Sequence, residues 1–477
     1  MQKRFLQGSM ANILRRVRWS FTLISIFMLL GCVATRPPAT AVDELLGYSD
    51  AMATLYYRDQ EWWRAYHDPQ LNALVDDALL NNLDYLQASV SINKALARAG
   101  LAGSDLWPFL ASEERFEATK DLRQREGWNK LYSAGLSVNY EVDLWRRLAD
   151  KAAARDWDVR ASQLDRDAAR LSIIDTTVDL YFKLMFFDAA LKVLGQSIEH
   201  HEKINSITQM RHAAGKVDSL ELEQAESQLI AVRTSKLEMK TQREKTLQLL
   251  RITLNLPPDS LLELSVGDFT SILPLGVDLK VPVAVLAERP DLKAAQYRLQ
   301  AAFKEVNAAR KLWLPTISLA SSLTGSNEHV DDIFRIPFLA GGVALTLPFL
   351  DWNRVRWQIR GTEAEYDDLK IEYEKILNIA LNELNLAYNS YMKEEAILQN
   401  IKIRLTKEQK ISEYYKNRFL KGNGLLSDWL KSLLEERQAF MDVLDAHYRM
   451  LSREILIYKS LSGRYTSKQN CEIEDAN

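Results

Sequence analysis

The sequence predicts a mainly α-helical protein with a small membrane-spanning β part, built from two tandem structural repeats. Three observations predict it. None of the 12 prolines lies in 109–256 or 349–477, so both windows can hold very long helices. Landmarks recur at a nearly constant offset of 206 to 207 residues: "DLWPFL" (105–110) with "KLWLP" (311–315), "VDLWRR" (142–147) with "FLDWNR" (349–354), and "RHAAGK" (211–216) with "RFLKGN" (418–423). A constant spacing over three landmarks argues for duplication. Finally, "SAGLSVNYEVDLW" (133–145) puts Ala134, Leu136, Val138, Tyr140 and Val142 on one face and Ser137, Asn139 and Glu141 on the other. That is a strand with one apolar and one wet side.

The chain opens with five basic residues and no acid in its first 31, then the apolar run "WSFTLISIFMLL" and Gly31-Cys32. The run is too short to span a bilayer and suits a signal peptide over 1–31. "LLGC" resembles a bacterial lipobox, whose cysteine becomes the lipidated first residue of the mature chain, here Cys32; an uncleaved signal anchor is the plain alternative. Val33 after the cysteine points, by the same resemblance, to the outer membrane. Losing the signal takes the formal charge from −3 to −8, which gives the protein no electrostatic reason to bind nucleic acid. With Cys32 acylated, only Cys471 remains. No disulfide within one chain and no cysteine metal site can be built, and Cys471 is assigned no role.

An extended segment is expected over 32–68, the first repeat over 69–256, a linker over 257–289, the second repeat over 290–463 and a polar tail over 464–477. In the first repeat, a helix over 69–104 precedes strands near 108–120 and 131–144; helix 147–212 runs to a turn at Gly215, and 218–254 returns. In the second, helix 290–312 precedes strands 315–324 and 339–349; helix 354–420 runs to Gly422 and Gly424, and 426–462 returns. Glycine just past a helix end is the expected stop. A helix of about 65 residues is roughly 100 Å long, so apolar positions recurring at threes and fours must pack these helices side by side as coiled-coil hairpins.

Four strands cannot close a membrane barrel, which needs at least eight. Three copies supply 12, and closure is what hydrocarbon demands of a sheet. The expectation is a trimeric 12-stranded β-barrel, four strands per chain. Tyr132 and Tyr140 lie about 26 Å apart along the strand, near the spacing of aromatic girdles once tilted. Ser137, Asn139 and Glu141 then face a watery lumen.

Over 61–463 the sequence resembles the TolC-like outer-membrane factors, lipoprotein branch. "EWWRAYHDPQLNALVDDALLNNLDYL", "AERPDLKAA" (287–295), "LPTISL" (314–319), "YEVDLWRR" and "LPFLDWNR" match that branch in combination. Arg146 and Asn353 stand where the family often has glycine. The resemblance implies a homotrimeric channel whose barrel continues into a long α-helical barrel through the periplasm, working passively with a periplasmic adaptor and an inner-membrane pump. It also implies that Glu221 and Asp428, each six residues after a turn glycine, face the pore as its periplasmic aperture, and that the adaptor docks around Gly215, Gly422 and Gly424. The family's tyrosine and arginine ties near the second turn are here Phe419 and Gly424.

No nucleophile elbow, phosphate loop or HExxH appears, so no catalytic residue is assigned and an enzyme is not expected. No cofactor or metal is expected either: His200, His201 and His212 read as a solvated face, because neighbouring histidines on a helix point in different directions. The competing function is a periplasmic coiled-coil adaptor or structural lipoprotein without a pore.

Overall fold

The computed structural model describes residues 56–120, 128–262, 264, 267–335 and 337–467; Cys32, Cys471 and the signal segment lie outside them. The described residues all belong to one compact unit. The elements in chain order are β1 (Tyr56–Asp59), α1 (Pro69–Asn81), α2 (Leu83–Ser104), β2 (Phe109–Thr119), β3 (Asn129–Val142), α3 (Arg147–Ala213), α4 (Ser219–Thr253), α5 (Pro290–Arg310), β4 (Thr316–Asn327), β5 (Phe338–Thr346), α6 (Trp352–Leu420), α7 (Leu426–Ser460) and β6 (Arg464–Ser467). Short 3-10 turns fill several connections, among them Trp62–Tyr66.

One expectation needs correcting, and two end segments are joined in a way the sequence does not predict. Helix 69–104 is two helices, α1 and α2. The Asn82 side chain accepts from the backbone N–H groups of Asp84 and Tyr85, capping α2, and donates to the Thr253 carbonyl at 2.9 Å. An asparagine that caps and crosslinks at once breaks a helix that apolar periodicity alone would continue. The segments expected to be extended (32–68) and a polar tail (464–477) also meet: β1 and β6 pair antiparallel in a separate two-stranded sheet. The described residues therefore hold six strands, four of them in the larger sheet.

α3 and α6 contain 67 and 69 residues, about 100 Å each. α3 starts through a device that the "VDLW" motif encodes. Asp143 turns back to accept from the backbone N–H groups of Leu148 and Ala149 at 3.0 and 2.8 Å. Arg146 takes the left-handed conformation at φ 59°, where glycine would be unstrained. Trp145 Nε1 donates to the Pro315 carbonyl at 2.7 Å, tying the end of β3 to the start of β4.

The main core lies where α1, α3, α4 and α7 converge. Trp62 and Trp63 are about fully buried there at 2% and 1% exposure, with Val178, Phe182, Leu250, Phe269, Leu451 and Tyr458. A buried carboxylate crosslinks this core. Glu454 accepts from the Tyr66 hydroxyl at 2.8 Å, the Tyr458 hydroxyl at 3.0 Å and the Gly276 N–H at 2.6 Å. One side chain thus holds the N-terminal turn, the connection between α4 and α5, and α7.

β2, β3, β4 and β5 form an antiparallel sheet in that order. Its register sorts side chains by face, because paired residues in an antiparallel ladder share a side. Leu110, Val138 and Ser321 share one side with Leu136, Leu323, Leu339, Tyr140, Leu319, Val343 and Leu345. Ser137 and Asn139 share the other with Ala111, Ser322, Ala320 and Gly342, and Glu141 lies there beside Ser318 and Ala344. The apolar side is bare: Leu339, Val343 and Leu345 are 78%, 72% and 61% exposed. At its far end Phe116 lies against Tyr132 across the strands, ring centroids 4.8 Å apart.

Candidate functional site

Two regions carry the chemistry: the ends of the helical hairpins and the polar side of the sheet. At the first hairpin end, Gly215 adopts φ 70°, and its N–H and that of Lys216 donate to the His212 and Arg211 carbonyls at 2.8 and 2.9 Å. At the second, Gly422 adopts φ 78°, and its N–H and that of Asn423 donate to Phe419 and Arg418 at 3.0 Å each. These are matching left-handed helix stops, which glycine makes without strain. Gly424 serves by size, since a Cβ there would stand 3.0 Å from the Arg418 Cβ and 3.2 Å from its carbonyl carbon.

The return helices start beside these turns. Asp218 caps α4 by accepting from the Glu221 N–H at 3.0 Å, which sets Glu221 in the first turn. Asp428 occupies the first turn of α7 and is exposed. Among the described residues neither Glu221 nor Asp428 makes an ion pair.

Sequence reasoning did not foresee what joins the two ends. Phe419, at 4% exposure, packs with Ile204, Ala225, Leu426, Trp429 and Leu430 in a small core of its own. Its ring meets Trp429 at 5.3 Å, and the Arg211 guanidinium from the first hairpin sits over it at 4.6 Å. A cation–π contact therefore bridges the hairpins where a tyrosine tie was looked for. The pairing crosses some two hundred residues of sequence, and nothing local in either segment signals it.

Above the turns a groove of about 820 Å³ runs between α3, α6 and α7, lined by Ile204, Trp429, Leu433, His200 and Arg437 among others. His201 nearby corrects another expectation. It is not on a solvated face but 2% exposed, and burial, with Arg437 and His200 close, lowers its pKa to about 4. His212 does lie at the turn, its Nδ1 3.1 Å from the Val217 carbonyl oxygen. Among the described residues no cluster of His, Cys, Asp or Glu is placed to hold a metal ion.

On the sheet, Ser137 and Asn139 sit together: Asn139 Nδ2 donates to Ser137 Oγ at 3.4 Å, and Ser137 Oγ donates to the Ala111 carbonyl at 3.5 Å. Glu141 accepts from Arg147 at 2.6 Å, joining the polar side of the sheet to the first turn of α3. On β3, β4 and β5 small polar side chains dominate one side and bare aliphatics the other, which suits a boundary between water and hydrocarbon. Phe109 and Phe338, however, lie on the polar side, and Ser112 and Glu114 of β2 on the apolar one. Among the described residues no helix is long and apolar enough to cross a membrane.

Residues 74–255 and 281–463 match the family model described as outer membrane efflux protein. The chain belongs to the outer membrane efflux protein family. It is accordingly an outer-membrane efflux channel protein. The toxin and drug export protein A of Aggregatibacter actinomycetemcomitans is 32% identical over 450 residues, spanning 94% of this chain and 98% of that one. A probable outer membrane lipoprotein, SilC, of Salmonella typhimurium is 23% identical over 467 residues, 93% of this chain and 98% of its own. Among solved structures, the Campylobacter jejuni CmeC outer membrane channel superposes with a TM-score of 0.77 at 22% identity, covering 94% of both chains. That likeness is one of fold.

Proposed function

We propose that three copies of this chain close a 12-stranded barrel in the outer membrane, and that their long helices continue it as a tunnel into the periplasm. The observation that carries this is the four-stranded sheet with one bare apolar side and two unpaired edges, β2 and β5. Hydrocarbon tolerates no open edge, so β5 of one copy pairs with β2 of the next. Ser137, Asn139 and Glu141 then line the lumen. The two matching runs of helix, strand pair and hairpin are tandem repeats over 69–256 and 290–463, joined by 257–289. Acylated Cys32 anchors the mature N-terminus in the outer membrane, beyond the described residues.

The hairpin ends form the periplasmic aperture. Threefold symmetry brings three copies each of Glu221 and Asp428 around the axis, a ring attractive to cations. The contact of Arg211 with Phe419, whose ring packs against Trp429, holds each hairpin pair in the resting arrangement. A periplasmic adaptor docks around Gly215, Gly422 and Gly424, with the groove lined by Trp429 and Arg437 continuing that surface. Its union with an inner-membrane pump opens the aperture, and small molecules leave passively.

The double variant Glu221→Ala, Asp428→Ala in planar bilayers tests this reading. Removing the ring is expected to raise single-channel conductance, roughly twofold or more, and to shift the reversal potential in a KCl gradient away from the cation-selective side. Conductance and reversal potential equal to those of the unaltered protein would remove both acids from the aperture.

A further inference from the structure

A second charged site lies at the opposite end of the helices from the turns. Where α2, α3 and α5 run side by side, a cleft of about 330 Å³ is lined by Ser91, Lys94, Arg98, Arg155, Asp158, Ser162 and Arg298. Four of its side chains are basic and one is acidic. Arg155 is engaged by Asp158 at 2.7 Å and by Glu305 at 2.5 Å, and Arg298 by Asp165. Lys94 and Arg98, both exposed, have no acid within ion-pair distance among the described residues. The cleft thus holds two fixed guanidinium groups, two cations without a counter-charge and two serine hydroxyls.

Its side of the molecule follows from helix geometry. Arg147 opens α3 by bonding Glu141 on the polar side of the sheet. At about 3.6 residues per turn, Asp158 and Asp165 fall close to three and five full turns later on the same stripe. The cleft therefore opens on the side of the polar strand residues. On the channel reading, on which its place in the conduit rests, that side is the tunnel wall just beneath the barrel.

We propose that this cleft binds small molecules carrying two or more carboxylate or phosphate groups as they pass through the tunnel. Clefts of about 300 Å³ and upward take small ligands, and guanidinium forks held by carboxylates present donors already oriented for a planar oxyanion. Lys94 and Arg98 supply the charge such an anion neutralises. The acidic ring at the turns and the basic cleft near the barrel give the two ends of the tunnel opposite preferences. An anion admitted when the aperture opens meets its attractive site close to the exit.

Citrate is the probe. Titration calorimetry on the detergent-solubilised full-length protein is expected to show citrate binding that weakens as salt is raised. The variant Lys94→Gln, Arg98→Gln should weaken it about tenfold or more, and Arg298→Lys, which keeps the charge but loses the planar fork, should weaken it by a smaller factor. Both altered positions of the double variant are on the surface, and unchanged circular dichroism establishes that it is folded. Absence of citrate binding by the unaltered protein, or equal affinity in the double variant, overturns the proposal. In bilayers, citrate should reduce the KCl current of the unaltered protein more than that of the double variant. Charge-dependent citrate binding by a protein that conducts no KCl would uphold the site and refute the channel.

Discussion

Alanine in place of Glu454 is expected to lower stability by about 3–5 kcal/mol, because it orphans buried donors that cost about 1–3 kcal/mol each. The Tyr66 hydroxyl and the Gly276 N–H lose their acceptor, and Tyr458 keeps only the Gly276 carbonyl at 2.9 Å. A carboxylate with no exposed surface, joining three distant segments, should behave as a crosslink. The measurement is the melting temperature of the solubilised protein, and a change within error would show that the segments hold without it.

The same residue gives a pH dependence of defined sign. Burial raises the Glu454 pKa above its ordinary value of 4.5, although hydrogen bonds from Tyr66 and Tyr458 pull it down. The folded chain therefore holds this proton more tightly than the unfolded chain. Its contribution to stability is fully present below the ordinary glutamate range and is lost as pH rises through the raised folded value. Glu454→Gln, which cannot ionise, should remove that slope. The stability difference between the two proteins would then favour the variant increasingly as pH rises. A difference independent of pH would contradict the raised value.

Arg211→Ala is expected to raise the open probability of the aperture about 5–30-fold, since a partly desolvated cation–π contact is worth about 1–2 kcal/mol. The contact bridges the hairpins through Phe419 and the Trp429 ring packed against it. Salt should disturb it less than it would an exposed ion pair, because Phe419 is buried and the attraction is short-ranged. Single-channel records of the variant at two salt concentrations test both statements. An unaltered open probability would mean that the hairpins are held by other contacts.

The long helices and the four main strands were legible in the sequence because their signals are long. Proline is absent over more than a hundred residues in each window, and period-two alternation leaves little else for "SAGLSVNYEVDLW" to be. The turn glycines were legible for the same local reason. What escaped depends on partners far apart in the chain. β1 and β6 are four residues each, too short to announce themselves, and they pair across nearly the whole chain. Asn82 looked like one polar position in a helix because its second partner is Thr253. His201 looked solvated because its burial is made by a neighbouring helix.

Glu454 did leave a trace: Leu451, Glu454, Ile455 and Tyr458 follow the helical apolar stripe, and a charge on that stripe marks a buried polar site. Arg211 and the Lys94–Arg98 pair left none, since a basic residue on a long helix is ordinarily solvated. Alternation alone marks the lumen residues, and the register adds small or polar neighbours on β4 and β5, while on β2 Ser137 meets Ala111 and Asn139 meets Phe109.

The central claim is that the sheet is completed by other copies of the same chain. Its most direct test is the detergent-corrected mass of the protein solubilised from outer membranes. A particle of three chains, each somewhat under the 54.7 kDa of the full sequence once its signal is removed, is the predicted result, and it would place 12 strands in one barrel. A monomer, or protein released without detergent, would leave the edges of β2 and β5 unpaired and contradict the account.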